Sequence, residues 1–136
     1  VDSNQPVGVR DWTGARIPLH AVSSGLAVLS LRPPAAIERY LERRLERFTA
    51  RTMTEPDLLR ARLRHVQLDG YAWTAGEYTE DITSVAAAIA DASGEVVAAI
   101  HVHGPSYRFP PAGRAADLGQ QVVATANRIG RALRQG

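Results

Sequence analysis

Residues 14–31 read GARIPLHAVSSGLAVLSL, and this stretch predicts an extended segment followed directly by a helix. Pro18 favours an extended backbone at the preceding residue, Ile17. Apolar residues repeat at helical spacing after Gly25, which places the start of the helix near residues 22–25. We therefore expect the chain to pass from strand to helix between Pro18 and Gly25.

The predicted helix start carries two adjacent serines, Ser23 and Ser24. A helix N-terminus exposes unpaired backbone N–H groups and the positive end of the helix dipole. Serine is an ordinary N-cap residue, and the residue types alone favour that structural interpretation. The alternative is that the amides and the small hydroxyl side chains seat a carboxylate or phosphate at the mouth of a small-molecule pocket.

Composition limits the class of protein. With 136 residues, of which 45% are apolar, the chain fits one globular domain with a substantial core. It contains no cysteine, which excludes disulfides and thiolate metal sites and favours a reducing cytoplasm. There is no apolar run of membrane-spanning length and no signal-peptide pattern, so we expect a soluble, cytoplasmic protein with no membrane partner.

The charge pattern argues against nucleic-acid binding by this chain itself. The formal net charge is only +2, and all 16 of the Lys and Arg positions are arginine. Between residues 39 and 64 the arginines alternate with acidic residues, so that Arg39 with Glu42 and Arg43 with Glu46 stand at helical ion-pair spacing. This pattern favours a solvated helix face over a basic patch, and no helix-turn-helix can be traced.

Two further helices are predicted after the first. Pro34 suits the first turn of a helix with one apolar face, which contains Ile37, Leu41, Leu45 and Phe48. Residues 54–57, Thr-Glu-Pro-Asp, supply an N-cap, a first-turn proline and a capping-box acid for a third helix that ends at Gly70. That helix buries a regular set of apolar side chains, Leu59, Leu63 and Val66.

Strands are predicted at residues 7–10 and 71–74, and a hairpin at residues 82–91 and 95–103. The two hairpin strands are nearly continuous apolar runs, so we expect both to be covered on both faces. A last helix follows Pro110-Pro111 and presents one apolar face, made of Leu118, Val122, Ala126, Ile129 and Leu133. Because a hairpin is antiparallel, the predicted fold class is α+β, with a largely antiparallel sheet flanked by helices.

His101 and His103 are the sharpest candidates for a functional site. Side chains two residues apart in a strand lie on the same face, so the two imidazoles should be neighbours. They could be neutral groups that line a pocket, histidines facing solvent, or part of a metal site. A metal site would need further ligands, for which the candidates are Glu77, Glu80, Asp81 and His20.

Other polar residues of the predicted sheet could share that cavity. Ser84 lies on the neighbouring strand with Ile82 on the same face, and Thr74 stands at the end of another strand. The acids of the loop at residues 75–81 are most simply solvated. No G-x-S-x-G elbow, Walker loop or G-x-G-x-x-G motif is present, so we expect no enzyme activity. The alternative is a small metal-dependent enzyme or metal-binding domain that uses His101 and His103.

Taken together, several stretches resemble the effector-binding domain of the IclR family of bacterial transcription regulators. They are GARIPLHA (14–21), GLAVL (25–29), FTARTMT (48–54), GYA (70–72), VAA (85–87) and GP (104–105). The resemblance implies a GAF-like sensor domain with a curved antiparallel sheet flanked by helices. It also implies that residues 1–136 form the ligand-sensing domain without its N-terminal part, and that the winged helix-turn-helix domain is absent from this chain.

The resemblance further implies a set of effector-binding positions. The two small residues before Gly25 would hold the effector carboxylate through their amides, with further polar and apolar contacts from strands. By position these residues are Ser23, Ser24, Thr74, Ser84, His101, His103, Val9, Ile17 and Ile82. Relatives that bind small 2-oxo acids carry an acid at position 74 and serines at positions 101 and 103, so we expect a larger or more aromatic organic acid here.

The same resemblance implies partners and cofactors. The family is usually dimeric or tetrameric, so we expect a homodimer or homotetramer. DNA would be bound only through the absent N-terminal domain. We expect no cofactor, although some relatives bind zinc in this domain.

Overall fold

The computed structural model describes residues 18–135, which form four helices and a three-stranded sheet. In chain order these are α1 (Ser23–Ser30), α2 (Pro34–Leu41), α3 (Pro56–Asp69), β1 (Ala72–Ala75), β2 (Ile82–Ala90), β3 (Val96–Pro105) and α4 (Ala115–Gln135). The strand predicted at residues 7–10 and the extended segment before Pro18 lie outside the described residues. Within them, the predicted α+β class and the start of α1 are confirmed.

The sheet has the order β1-β2-β3, and β2 pairs antiparallel with both neighbours. The predicted hairpin of β2 and β3 is confirmed. Its turn is fixed by the Asp91 carboxylate, which accepts hydrogen bonds from the backbone N–H groups of Ser93 and Glu95. Gly94 completes the turn with φ of 85°, a left-handed conformation that favours glycine.

The two faces of the sheet belong to two separate apolar clusters. On one face α1 and α3 pack with β1, and the buried members are Leu26, Leu29, Leu41, Leu59, Leu63, Val66 and Ala72. On the other face β2 packs against α4, and the buried members are Val85, Ala87, Ile89, Val122 and Ala126. Each large side chain fully buried in this way contributes about 1.5–3 kcal/mol. Consequently both faces of β2 are covered, and α1 is held over one of them.

The second helix is shorter than predicted. α2 ends at Leu41, and Leu45 and Phe48 lie in the irregular segment that follows it. The cause is a set of tertiary contacts made by this segment. The Glu46 carbonyl accepts a hydrogen bond from the His20 ring, and two threonine hydroxyls donate to the carbonyl oxygens of residues 76 and 77. Leu45 still packs against the cluster formed by α1 and α3.

The predicted ion pairs between Arg39 and Glu42 and between Arg43 and Glu46 do not form, and Arg43 and Glu46 both lie beyond the end of α2 at Leu41. Within residues 18–135, Arg60 instead bridges Glu38 and Asp57.

The start of α3 also differs from the prediction. Its N-cap is Glu55, which makes no side-chain capping bond, and the Thr54 hydroxyl instead accepts a hydrogen bond from Arg47. The Arg47 guanidinium also donates to the carbonyl oxygens of residues 50 and 52, so Thr54 is used to fix this loop. The predicted first-turn Pro56, the buried apolar face and the end at Gly70, where φ is 84°, are confirmed.

The expectation that β3 is covered on both faces was wrong. Val97 is 53% exposed and Val102 is 44% exposed, because α1 and α4 pack mainly over the central strand β2 and cover β3 only in part. The apolar face of α4 is also only partly buried. Part of this face packs on β2, whereas Ile129 and Leu133 lie outside that contact and stay exposed. Neither α4 nor any shorter helix between residues 18 and 135 is long and apolar enough to cross a membrane.

Candidate functional site

The turn at residues 18–22, which leads into α1, is fixed by the buried side chain of His20. Its Nε2 lies 2.8 Å from the Glu46 carbonyl oxygen, and its Nδ1 lies 2.8 Å from the Tyr40 hydroxyl. A carbonyl oxygen only accepts, so Nε2 donates its hydrogen there and Tyr40 donates to Nδ1. Burial raises the pKa of Tyr40, which keeps the phenol protonated as that donor. Both nitrogens of His20 are therefore engaged, and His20 is not placed to serve as a metal ligand.

Gly25 allows α1 to begin in direct contact with this turn. A Cβ atom at Gly25 would lie 2.5 Å from the Leu19 Cα and 2.6 Å from the Leu19 carbonyl oxygen. These are backbone atoms that a rotamer change cannot move, so a side chain at this position requires the helix and the turn to separate. The absence of a side chain thus sets where the first turn of α1 lies.

The first turn of α1 is tied to the sheet by a pair of serines. The Oγ atoms of Ser23 and Ser84 are 2.6 Å apart, and Ser23 is 3% exposed. The N-cap residue is Val22, which has extended backbone angles and no side-chain capping bond. The interpretation of Ser23 as an N-cap was therefore wrong, and its hydroxyl instead joins α1 to β2.

A cavity of about 120 Å³ lies where the start of α1 meets the sheet and the loop at residues 76–81. It is lined by all the predicted effector-binding residues that fall within residues 18–135, which are Ser23, Ser24, Thr74, Ile82, Ser84, His101 and His103. Val9 and Ile17 lie outside the described residues. The sequence did not indicate four further lining residues, Ala21, Val22, Tyr78 and Thr79, and Glu77 was predicted only as a candidate metal ligand.

Strand register explains why these distant residues meet. Thr74 on β1 pairs with Ser84 on β2, which pairs in turn with His103 on β3. Because side chains alternate across a strand, this row and His101 share the face that α1 covers. The polar groups of three strands therefore converge beneath the N-terminus of α1.

The imidazoles of His101 and His103 form a stacked pair at the β3 side of the cavity. Their ring centroids are 5.0 Å apart with planes inclined by 22°, and the two Nδ1 atoms are 3.2 Å apart. Partial burial lowers the pKa of His101 below its ordinary value, and the nearby His103 lowers it further. The free site consequently favours an uncharged His101 near neutral pH.

Glu77 is not the solvated loop acid that the sequence predicted. It is 8% exposed, and the Arg62 guanidinium donates to both of its carboxylate oxygens, at 2.5 and 2.9 Å. The Ala75 backbone N–H donates to the same carboxylate, and Arg62 also donates to the Trp73 carbonyl oxygen. This ion pair fastens the loop at residues 76–81 to α3 and β1. No local pattern marked it, because the partners lie on different elements.

The threonines of the FTARTMT segment hold the same loop from the other side. The Thr49 hydroxyl donates to the Gly76 carbonyl and the Thr52 hydroxyl to the Glu77 carbonyl, both at 2.6 Å. The Phe48 ring meets the Tyr78 ring edge-on, with centroids 4.8 Å apart. The cavity wall is thus held by side chains on both sides.

A metal centre is not favoured at this site. In the part of the chain that the structure describes, no three His, Cys, Asp or Glu side chains are grouped closely enough to hold a metal ion. Of the candidate additional ligands, His20 and Glu77 are engaged elsewhere, and Glu80 and Asp81 are exposed. What the arrangement offers is a set of hydroxyl, imidazole and helix-terminal N–H groups around a small cavity, which suits an anionic ligand.

Comparison with known proteins gives consistent matches to one family. Residues 1–131 match the family described as bacterial transcriptional regulator IclR C-terminal. The chain is 38% identical over 117 residues to the HTH-type transcriptional regulator BhcR of Paracoccus denitrificans, and 34% identical over 121 residues to the HTH-type transcriptional repressor AllR of Klebsiella pneumoniae. These matches cover 85% and 88% of this chain but only 42% and 44% of the two relatives.

Solved structures support the same assignment. A transcriptional regulator from Rhodococcus sp. RHA1 superposes with a TM-score of 0.88 at 31% identity, over 99% of this chain and 55% of that one. A double mutant of the PobR inducer-binding domain from Acinetobacter, in complex with 3-hydroxybenzoic acid, has a TM-score of 0.76 at 26% identity, over 85% of this chain and 67% of that one.

The fold is that of the effector-binding domain of a family of transcription regulators. The chain belongs to the IclR family of bacterial transcriptional regulators and corresponds to its C-terminal domain. It spans less than half the length of the curated relatives described above.

Proposed function

We propose that this chain binds a small organic acid in the cavity beneath α1. The observation that carries the proposal is the convergence on one cavity of a helix N-terminus, the Ser23–Ser84 pair and the His101–His103 pair. The acidic residue that lines the same cavity, Glu77, is paired with Arg62. An anion in the cavity therefore meets donors, and the charge of the Glu77 carboxylate is already compensated by Arg62.

In this proposal the carboxylate of the effector lies at the first turn of α1. The backbone N–H groups of Ser23, Ser24 and Gly25 belong to the first turn, where the helix supplies no acceptor for them. The body of the ligand extends along Ile82 toward the two imidazoles. Thr74 and Ser84 supply hydroxyl groups. The apolar positions Val9 and Ile17, assigned through the family resemblance, lie outside the described residues.

The size and lining of the cavity favour a compact, preferably aromatic acid. A cavity of about 120 Å³ is roughly ten times the space that one water requires. Imidazole rings on β3 offer flat faces against which a planar ligand can lie. The PobR complex contains 3-hydroxybenzoic acid, which makes hydroxybenzoates sensible first candidates for this related domain.

We propose further that effector occupancy controls DNA binding by a winged helix-turn-helix domain of the whole cytoplasmic regulator. The whole protein would act as a homodimer or homotetramer. The effector can shift operator affinity only if it binds two states of the regulator with different affinities. Gel-shift titration of the full-length protein on its operator, with and without the effector, tests this step, and an unchanged operator affinity would contradict it.

The binding site itself is tested by amide NMR of the chain during titration with hydroxybenzoates and aliphatic acids. We expect the largest shift changes at residues 23–25 and on the cavity face of β2 and β3. Ser24→Pro removes one first-turn N–H and should weaken binding, whereas Ser24→Ala keeps the amide and should bind nearly as well as the native chain. Shift changes confined to other surfaces would contradict the proposal.

A further inference from the structure

The hydrogen bond between His101 and His103 limits how the two rings can be protonated. At 3.2 Å, one Nδ1 must donate a hydrogen and the other must accept it. In the neutral pair, the accepting ring therefore carries its hydrogen on Nε2. If the donating ring takes up one proton, it becomes an imidazolium that still donates to its neighbour. A second proton occupies the accepting Nδ1, which breaks the hydrogen bond and places two cations side by side.

In the part of the chain that the structure describes, no free carboxylate stands near the two imidazoles to balance a second positive charge. α1 contains no charged residue, and β2 contains no titratable one. The loop contributes Glu77 and Tyr78 to the cavity, and the Glu77 carboxylate is paired with Arg62. Glu80 and Asp81 of the same loop are exposed and do not line the cavity. Among the described residues, a positive charge on the histidine pair is therefore balanced by no free carboxylate in the cavity.

We propose that His101 and His103 work as one unit that takes up a single proton when an organic acid anion binds in the cavity. This inference rests on the proposed effector site and adds to it the charge of the ligand and a pH dependence. The bound anion would supply the counter-charge that residues 18–135 do not provide in the cavity. The site would accordingly select singly charged acids over both uncharged analogues and dianions.

The direction of the pH effect follows from the state of the free site. Partial burial and the neighbouring His103 ring lower the pKa of His101, so the free site favours an uncharged His101 near neutral pH. An adjacent anion favours the charged pair, and binding then draws one proton from the buffer. Affinity should rise by up to about tenfold for each unit that the pH falls, until the free pair is itself protonated.

Calorimetry of the chain with 3-hydroxybenzoate and with the uncharged 3-hydroxybenzamide tests the proposal between pH 5.5 and 8. Titrations in buffers of different ionisation enthalpy measure proton uptake, which we expect to approach one per acid bound at pH 7.5 and to be zero for the amide. Histidine ring NMR of the free chain should show only one proton added to the pair above pH 5.5. The chain has just four histidines, so their signals can be resolved.

Variants of the two histidines distinguish a proton shared by the pair from simple contact between the rings and the bound acid. His101→Gln and His103→Gln should each remove the hydrogen-bonded pair and flatten the pH dependence of acid binding, while His65→Gln, at an exposed site on α3, should leave it unchanged. Binding of acid and amide with equal, pH-independent affinity would overturn this inference and leave the effector site standing. Failure of both compounds to bind even at pH 5.5 would count against the inference and against an aromatic-acid site together. Independent titration of the two rings to a doubly charged state would overturn the inference whatever the ligand does.

Discussion

Ser23 and Ser84 join the first turn of α1 to the central strand through hydroxyl groups 2.6 Å apart, and both residues line the cavity. Ser23 is almost completely buried, so its hydroxyl depends on Ser84 for a partner. Because the same turn presents the amides of the proposed anion seat, this contact connects the stability of the domain with the geometry of its ligand site.

We predict that Ser84→Ala lowers the free energy of unfolding by about 1–2 kcal/mol, because it leaves the buried Ser23 hydroxyl without its partner. The loss for Ser23→Ala combined with Ser84→Ala should be clearly smaller than the sum of the single losses. Urea unfolding of the four proteins measures this coupling. Strictly additive losses would show that the contact contributes nothing to stability.

Gly25→Ala should destabilise the domain by roughly 1–3 kcal/mol or more, because the added Cβ meets the backbone of Leu19 at 2.5 Å. The neighbouring Ser24→Ala serves as the control, since it adds no atoms and places a good helix former in the same turn. Thermal unfolding of both variants checks the prediction. Equal melting temperatures for Gly25→Ala and the native chain would mean that α1 is not held tightly against the turn.

The ion pair of Arg62 and Glu77 is predicted to be structural. The side chains are only 20% and 10% exposed, so Arg62→Leu should cost about 2–4 kcal/mol by leaving the carboxylate without its counter-charge. Arg60→Leu removes an arginine of the same helix that bridges exposed acids, and its effect should be much smaller. Denaturant unfolding distinguishes the two positions, and similar losses for both would contradict the assignment.

Stability should also depend on pH through His101. Its pKa is lowered in the folded chain, so the folded state binds fewer protons than the unfolded state near pH 6. The free energy of unfolding should therefore fall as the pH is lowered through the ordinary histidine value of about 6.5 toward the folded-state value. His101→Gln should weaken this dependence relative to His65→Gln. An unchanged profile in His101→Gln would assign the acid sensitivity to other groups.

Short sequence patterns correctly predict the elements that are determined by neighbouring residues in the chain. Helical spacing after Gly25 marks α1, the Asp91 to Gly94 turn marks the hairpin, and strand alternation alone places both β3 histidines on one face. The hairpin turn sets the register of β2 against β3 and so places Ser84 beside His103, whereas Thr74 was assigned to the site only through the resemblance to the IclR family.

The rest depends on contacts between distant segments. α2 ends early because the following segment must reach His20 and the 76–77 backbone, which no spacing within α2 reveals. Glu77 looks like a loop acid until α3 brings Arg62 beside it. Ser23 looks like a cap until Ser84 is placed opposite it. In each case a side chain with an ordinary local role has a tertiary partner instead.

The proposed binding of an organic acid beneath α1 is tested most directly by thermal unfolding of the chain with a panel of aliphatic and aromatic acids, each measured with chelator and with added zinc. A ligand at one hundred times its dissociation constant should add about 2.7 kcal/mol to the stability of the folded state. We predict stabilisation by a singly charged organic acid that persists with chelator and is reduced in Ser24→Pro. Stabilisation that appears only with zinc, or with none of the acids, would contradict the account.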